Sequence, residues 1–168
     1  MKFKNGGFIL KVQFKKRISL LIIMFGIAVS SLGVTQAVHA KANTSDSRVH
    51  FTFRWYSPYD YTTARRKQNR SYMYMHLLKK DDGGKFNVWA EADKNVHSGG
   101  RDWHNVSGGG THEGTVHPGH TYLFSNTAVE DYGRNVPVRF GGYSRSSDSF
   151  STDWSPDSVK PKGNYTIY

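Results

Sequence analysis

The stretch VHFTFRWY, residues 49–56, decides the fold class, because its apolar and polar side chains alternate. The apolar side chains occupy every second position: Val49, Phe51, Phe53 and Trp55. Successive side chains of a β-strand point to opposite faces, so these four would lie together against a core. The intervening positions are mostly polar and would face solvent. This stretch predicts a half-buried strand in a sheet protein.

Two further stretches show the same period of two: SYMYMHLL, residues 71–78, and KFNVWAEA, residues 85–92. The segment between them is KKDDGG, residues 79–84, whose Asp and Gly residues suit a hairpin turn. We therefore expect these two strands to pair antiparallel with each other.

The second half of the chain contains more short strand candidates, at residues 114–116, 120–129, 136–143 and 149–154. Pro137 predicts that its strand lies at a sheet edge or begins with a bulge. Gly141 and Gly142 predict a bulge or a sharp bend. No long stretch has the helical period of about 3.6 residues. The pattern predicts an all-β fold, a single small antiparallel β-sandwich or open barrel.

The first 40 residues have the order of a secretory signal peptide. They hold six of the 23 Lys and Arg residues and none of the 13 acidic residues. An apolar run, residues 18–29, follows the basic part, and small residues end at Ala40. About 12 apolar residues are too few for a membrane span of about 20. We expect residues 1–40 to be removed after Ala40, or two residues later after Ala42. The alternative is an uncleaved signal anchor.

The remaining residues 41–168 carry a net charge of only +4, against +10 for the whole chain. This mild charge argues against a nucleic-acid partner. Residues 41–48 are expected to be a short linker, and residues 49–168 one β domain. Leu, Ile, Val and Phe are few, but ten Tyr and four Trp predict an aromatic core. The chain has no Cys, which excludes disulfides and thiolate chemistry and is common in proteins secreted by Gram-positive bacteria.

Five histidines lie in or beside a Gly- and His-rich stretch, residues 97–119, which is predicted to be irregular. The weak candidates for metal ligands are His112, His117 and His120. His112 and His117 are five residues apart, whereas the helical zinc motif needs a spacing of four. We therefore expect loop histidines without a metal or other cofactor. A metal-dependent hydrolase and a pH-responsive cluster are the alternatives.

The sequence contains no pattern typical of an active site. It has no nucleophile elbow around a serine and no pair of carboxylates in a context that would desolvate one of them. We therefore expect the protein not to be an enzyme.

The densest basic run follows a tyrosine-rich segment. Arginine guanidinium groups recognise phosphate and carboxylate with two hydrogen bonds, and tyrosine rings offer flat contact surfaces. We predict binding of an anionic cell-wall polymer or anionic lipid head groups by six residues: Tyr59, Tyr61, Arg65, Arg66, Lys67 and Arg70. The alternative is a solvated charge run that keeps a sheet edge from aggregating.

Several segments resemble a known family. They are FTF at 51–53, YLFSNTA at 122–128 and FSTDWSPD at 150–157. Together they resemble the small secreted proteins of Gram-positive bacteria grouped as domain of unknown function 2712. The resemblance spans most of residues 49–158, and its strongest part is the closing segment around Trp154. It implies export, a β-rich domain and the absence of an obvious enzyme, and it carries over no functional residue.

The function expected from these observations is that of a secreted, non-enzymatic β protein that acts at or near the cell envelope. Its mature chain would contain no transmembrane span. The alternatives are a bacteriocin-like antimicrobial protein and a metal-dependent hydrolase.

Overall fold

The computed structural model describes residues 41–96, 99–108 and 113–168. The chain in these ranges consists of short β-strands and one five-residue helix. The strands are β1 (Ser47–Phe53), β2 (Tyr59–Tyr61), β3 (Arg65–Lys67), β4 (Met73–Leu77), β5 (Phe86–Asp93), β6 (Trp103–Asn105), β7 (Gly114–Val116), β8 (Thr121–Phe124), β9 (Val136–Tyr143), β10 (Asp148–Ser155) and β11 (Thr166–Ile167). The helix, α1 (Ala128–Tyr132), lies between β8 and β9. The predicted signal peptide, residues 1–40, lies outside the described residues.

The strands form two sheets, which confirms the all-β prediction. The first sheet has the strand order β1-β10-β4-β8-β11. Its pairs are antiparallel except for β11, which lies parallel to β8. In the second sheet the long strands β9 and β5 pair antiparallel at the centre. Two short strands fill each flank: β2 and β3 pair with β9, while β6 and β7 pair with β5. No helix in the described ranges is long and apolar enough to span a membrane.

Aromatic rings form a large part of the core, as predicted, beside Met, Leu, Val and Ala side chains. Phe51 and Phe53 of the first sheet contact Phe86 of the second, with ring centroids 5.0 and 5.1 Å apart. Phe140 of the second sheet packs against Trp154 of the first at 5.5 Å. Such tilted and edge-to-face pairs add about 0.5–1.5 kcal/mol each beyond the burial of their area.

The predicted hairpin between β4 and β5 is wrong. β4 lies in the first sheet between β10 and β8, whereas β5 lies in the second sheet. Residues 79–84 therefore connect the two sheets. Both strands have one strongly apolar face, and these faces exclude water when they lie opposite each other across a core. Lys80 ties the connection to the start of β10 through an ion pair with Asp148.

Strand β9 also differs from its prediction. It is a central strand, and Pro137 pairs with Arg66 near its start, beyond the last residue paired with β5. Gly141 and Gly142 form no bulge, because the register runs through both without interruption. They make room for rings instead. A Cβ on Gly141 would lie 2.4 Å from the Trp89 indole, and one on Gly142 would lie 2.9 Å from the Phe51 ring.

Three segment boundaries differ from the predictions. Strand β1 begins at Ser47, inside the predicted linker, and ends at Phe53, so Trp55 lies in the following turn and not in the core. The strand predicted for residues 120–129 ends at Phe124. The stretch predicted to be irregular contains the strand predicted at residues 114–116, which is β7, and also β6, which was not predicted.

Candidate functional site

The outer face of the second sheet, which points away from the core, carries a row of planar side chains. The register explains how they meet. Tyr59 and Tyr61 alternate on β2 and pair with Tyr143 and Gly141 of β9. Gly141 in turn pairs with Trp89 of β5. Residues paired across strands share a face of the sheet, so these rings lie side by side.

Trp89 forms the floor of this row. The rings of Tyr59 and Tyr61 both meet its indole edge-to-face, with centroids 6.3 Å away. The indole is only 8% exposed, whereas Tyr59 is 54% and Tyr61 41% exposed. Tyr59 also packs against Tyr143, 4.9 Å between centroids. The two exposed tyrosine rings thus pack against one buried indole.

Arg139 continues the row. Its guanidinium carbon lies 4.0 Å from the ring centre of Tyr61 and 4.1 Å from that of Trp103 on β6. Two aromatic faces therefore sandwich one cation, an arrangement in which ring quadrupole and charge attract each other. We name the row Tyr143, Tyr59, Trp89, Tyr61, Arg139 and Trp103 the aromatic ladder.

Glu91 holds two residues of the ladder in place through hydrogen bonds. Its Oε2 accepts a hydrogen bond of 2.6 Å from Nε of Arg139, and its Oε1 accepts one of 2.8 Å from Nε1 of Trp89. Both carboxylate oxygens are therefore used within the ladder. Burial, and next the charge of Glu91, raise the pKa of Tyr61 above its ordinary value, so its hydroxyl keeps its proton at neutral pH.

Cations border the ladder. Arg145 donates a hydrogen bond of 2.8 Å from Nε to the hydroxyl of Tyr143. The guanidinium of Arg101 lies 5.7 Å from the centre of the Trp103 ring and 3.7 Å from a carboxylate oxygen of Asp93. Arg66 pairs with Pro137 of β9, which places its exposed side chain on the same face as Arg139.

The carboxylates of this face, by contrast, already have hydrogen-bond partners within the protein. Glu91 is held by Arg139, and Asp93 accepts backbone hydrogen bonds from Asn95 and Asp102. Arg66 and Arg145 therefore give the face an excess of positive charge. Flat rings flanked by guanidinium groups can stack on sugar rings or other planar groups and bind anionic substituents.

The residues of the predicted basic run do not share one surface. Nη1 of Arg65 donates to the carbonyl of Trp154, and Nη2 donates to Oδ1 of Asn43. Lys67 is completely buried, which corrects its prediction as a ligand contact. Arg66 remains exposed on the outer face. Arg70 is also exposed and lies 3.6 Å from Glu130 of α1.

Lys67 and Asp157 form a buried polar cluster instead. Nζ of Lys67 donates to the carbonyl oxygens of Ser71 and Pro156 and to Oδ1 of Asp157. Asp157 also accepts hydrogen bonds from the backbone amides of Asn43, Gln68 and Asn69. Burial lowers the pKa of Lys67 to about 8, against the opposing pull of Asp157.

The candidate metal ligands are only partly described. His112 lies outside the described residues. The rings of His117 and His120 are 6.5 Å apart across the turn at Gly119. Within the described ranges no group of three or more His, Cys, Asp or Glu residues could hold a metal ion.

Of the six ladder residues, the sequence predicted only Tyr59 and Tyr61 as site residues. Trp89, Glu91 and Arg139 fall at outward positions of strands whose inward residues are apolar, and that alternation was the available signal. It could not reveal that the three side chains meet, because strand pairing over 48 residues brings Glu91 to Arg139.

The family model described as protein of unknown function DUF2712 matches residues 36–158. The chain belongs to this family. The match confirms the resemblance seen in the sequence. In this DUF2712 member the closing segment of the match supplies Trp154 to the core and Asp157 to the buried cluster. No curated protein and no solved structure matches the chain.

Proposed function

We propose that this DUF2712 protein is a secreted, non-enzymatic protein of Gram-positive bacteria that binds an anionic polymer of the cell wall on the outer face of its second sheet. Sugar rings of the polymer stack on Tyr59 and Tyr61. Its phosphate or carboxylate groups pair with Arg66 and Arg145.

The observation that carries this proposal is the exposed pair of tyrosines held upright on a buried indole. Tyr59 and Tyr61 keep about half of their surface exposed while Trp89 and Gly141 fix their base. A rigid aromatic surface binds with little loss of conformational entropy. The arginines beside it supply charges that complement a polyanion.

Co-sedimentation of the purified protein with intact Gram-positive cells tests the proposal. Raising the salt from about 50 to about 500 mM shortens the Debye length from about 14 to about 4 Å, so binding should weaken markedly. Cells stripped of their anionic wall polymers should lose most of the binding. Equal binding to stripped and unstripped cells would refute a polymer ligand.

Matched variants locate the surface. Tyr59→Ala together with Tyr61→Ala should lower binding about tenfold or more, because two stacking rings are lost; a ring stacked on a nucleic-acid base contributes about 1–3 kcal/mol by the same substitution. Tyr72→Ala is the control, because Tyr72 is 40% exposed and lies outside the ladder.

Arg66→Gln together with Arg145→Gln should weaken binding and reduce its salt dependence. Arg48→Gln, an exposed arginine of the first sheet, should change neither. Unchanged binding by both double variants would move the site elsewhere.

A further inference from the structure

The turn between β1 and β2 presents two aromatic side chains to solvent. Two backbone hydrogen bonds close it, from Arg54 N to Ser57 O at 3.0 Å and from Ser57 N to Arg54 O at 2.9 Å. Trp55 and Tyr56, which we name the aromatic tip, occupy its two middle positions. Such positions normally hold small or polar residues.

Trp55 is 77% and Tyr56 69% exposed, and their rings meet edge-to-face with centroids 5.4 Å apart. Trp55 is the most exposed of the large hydrophobic residues in the described part of the chain. The tip therefore projects a contiguous apolar surface into water, and such surfaces mark interaction sites.

The connection between β9 and β10 holds the tip in place through hydrogen bonds. The backbone amide of Trp55 donates a hydrogen bond of 3.1 Å to Oγ of Ser147, in the connection between β9 and β10. The amide of Ser144 in the same connection donates to the carbonyl of Pro58, at 2.9 Å. The rings thus protrude from a fixed support, and little entropy is lost when they are buried.

Arginines flank the tip. Arg54 precedes Trp55, and Arg145 lies in the connection that holds the turn. In the part of the chain that the structure describes, neither of these exposed side chains forms an ion pair with a carboxylate. In the nearby connection between β4 and β5, Lys80 is paired with Asp82 and Asp148. The free positive charge at the tip therefore comes from the two arginines.

We propose that the aromatic tip inserts into the interface of a lipid bilayer with anionic head groups, where Arg54 and Arg145 contact lipid phosphates. Trp and Tyr combine an apolar body with one polar group and favour the boundary between head groups and acyl chains. A convex turn can enter that boundary, and basic residues are drawn to anionic lipid surfaces. The tip shares no aromatic ring with the ladder. Arg145 borders both sites through its hydrogen bond to Tyr143, but insertion of the tip does not require a bound polymer.

Vesicle flotation tests the insertion. The purified protein should float with vesicles of equal parts phosphatidylglycerol and phosphatidylcholine, and much less with phosphatidylcholine alone. Trp55→Ser together with Tyr56→Ser should lower binding about tenfold or more, because two aromatic side chains no longer leave water. The control is Tyr72→Ser together with Val159→Ser, which removes exposed apolar surface elsewhere and should leave binding unchanged.

Fluorescence gives a second, independent readout. Lipids brominated near the head group should quench the emission of the wild type through Trp55. Trp55→Phe should still float, within about threefold, but should lose that quenching. Absence of flotation, equal flotation of the double Ser variant, or full quenching in Trp55→Phe would each overturn the proposal.

The variants distinguish failure of the lipid proposal for the tip from failure of the polymer proposal for the ladder. Tyr59→Ala together with Tyr61→Ala should lower wall binding about tenfold or more and leave vesicle binding intact. The double Ser variant of the tip should lower vesicle binding and leave wall binding intact. Loss of both in either variant would show one shared surface and overturn the assignment of lipid to the tip.

Discussion

Nζ of Lys67 lies 3.3 Å from Oδ1 of Asp157, and both side chains are fully shielded from solvent. This contact joins the second sheet, through β3, to the segment that follows β10 of the first sheet. The carboxylate of Asp157 also accepts hydrogen bonds from the backbone amides of Asn43, Gln68 and Asn69. The predicted linker and the predicted basic run thus meet at one buried carboxylate.

Asp157→Ala should destabilise the protein by about 3–5 kcal/mol, because it leaves a buried ammonium and three amides without their acceptor. Urea denaturation followed by circular dichroism measures the free energy of unfolding. Asp153→Ala is the matched control. Asp153 pairs with Arg48, whose side chain is 59% exposed, so its loss should cost no more than about 1 kcal/mol. Equal losses in the two variants would contradict a structural role for the buried cluster.

The depressed pKa of Lys67, about 8 instead of 10.5, predicts an unusual pH dependence. Between these two values the unfolded chain holds a proton on Lys67 that the folded chain has released. The free energy of unfolding should therefore gain about 3 kcal/mol from this group as the pH rises through that interval. Lys67→Met should lack this gain when its stability is compared with that of the wild type at each pH.

Direct titration checks the same pKa. Nuclear magnetic resonance of ¹³Cε-labelled lysines should show one resonance that titrates near pH 8 and is missing in Lys67→Met. The other lysines provide the internal comparison. If every lysine titrates above pH 10, the ammonium is not desolvated as the structure indicates.

Gly141→Ala should disrupt the ladder. The added Cβ would lie 2.4 Å from the Trp89 indole, so the ring or the strand must shift, at a cost of about 1–3 kcal/mol. Near-ultraviolet circular dichroism should report the displaced tryptophan. Gly99→Ala adds a methyl group where nothing lies within 4 Å and should change neither signal nor stability. An unaltered spectrum in Gly141→Ala would mean that the indole does not rest on this backbone.

Arg139→Lys retains the charge but removes the flat guanidinium between Tyr61 and Trp103. We expect a loss of about 1–3 kcal/mol in unfolding free energy, and greater quenching of tryptophan fluorescence by acrylamide as Trp103 is uncovered. Lys94→Gln removes an exposed ion pair at the end of β5 and serves as the control. Identical quenching of wild type and Arg139→Lys would show that the sandwich does not shield Trp103.

Export can be tested at the N-terminus. Protein recovered from the medium of a Gram-positive host should begin at Lys41, or at Asn43 if cleavage follows Ala42. Leu21→Arg, which interrupts the apolar run, should keep the chain inside the cell. Secretion of that variant, or a protein that retains residues 1–40, would contradict a cleaved signal peptide.

The sequence by itself determined the longer strands and the aromatic nature of the core, but not the short strands β2, β3, β6 and β11 or the helix α1. Alternation in residues 49–53, 73–77, 86–92 and 136–140 depends on neighbouring positions alone, so it can be read directly from the chain. The abundance of Tyr, Trp and Phe likewise indicated an aromatic interior. The resemblance to DUF2712 rested on short local segments, and the family match confirms it.

Only the tertiary structure decided which strands pair and where the polar side chains go. The turn-like residues 79–84 suit a hairpin equally well as a connection between sheets, and burial of two apolar faces selects the connection. Lys67 and Arg65 look like surface cations until residues about 90 positions away, Asp157 and Trp154, supply their acceptors. The ladder arises in the same way, from contacts between strands far apart in the chain, which no local pattern encodes.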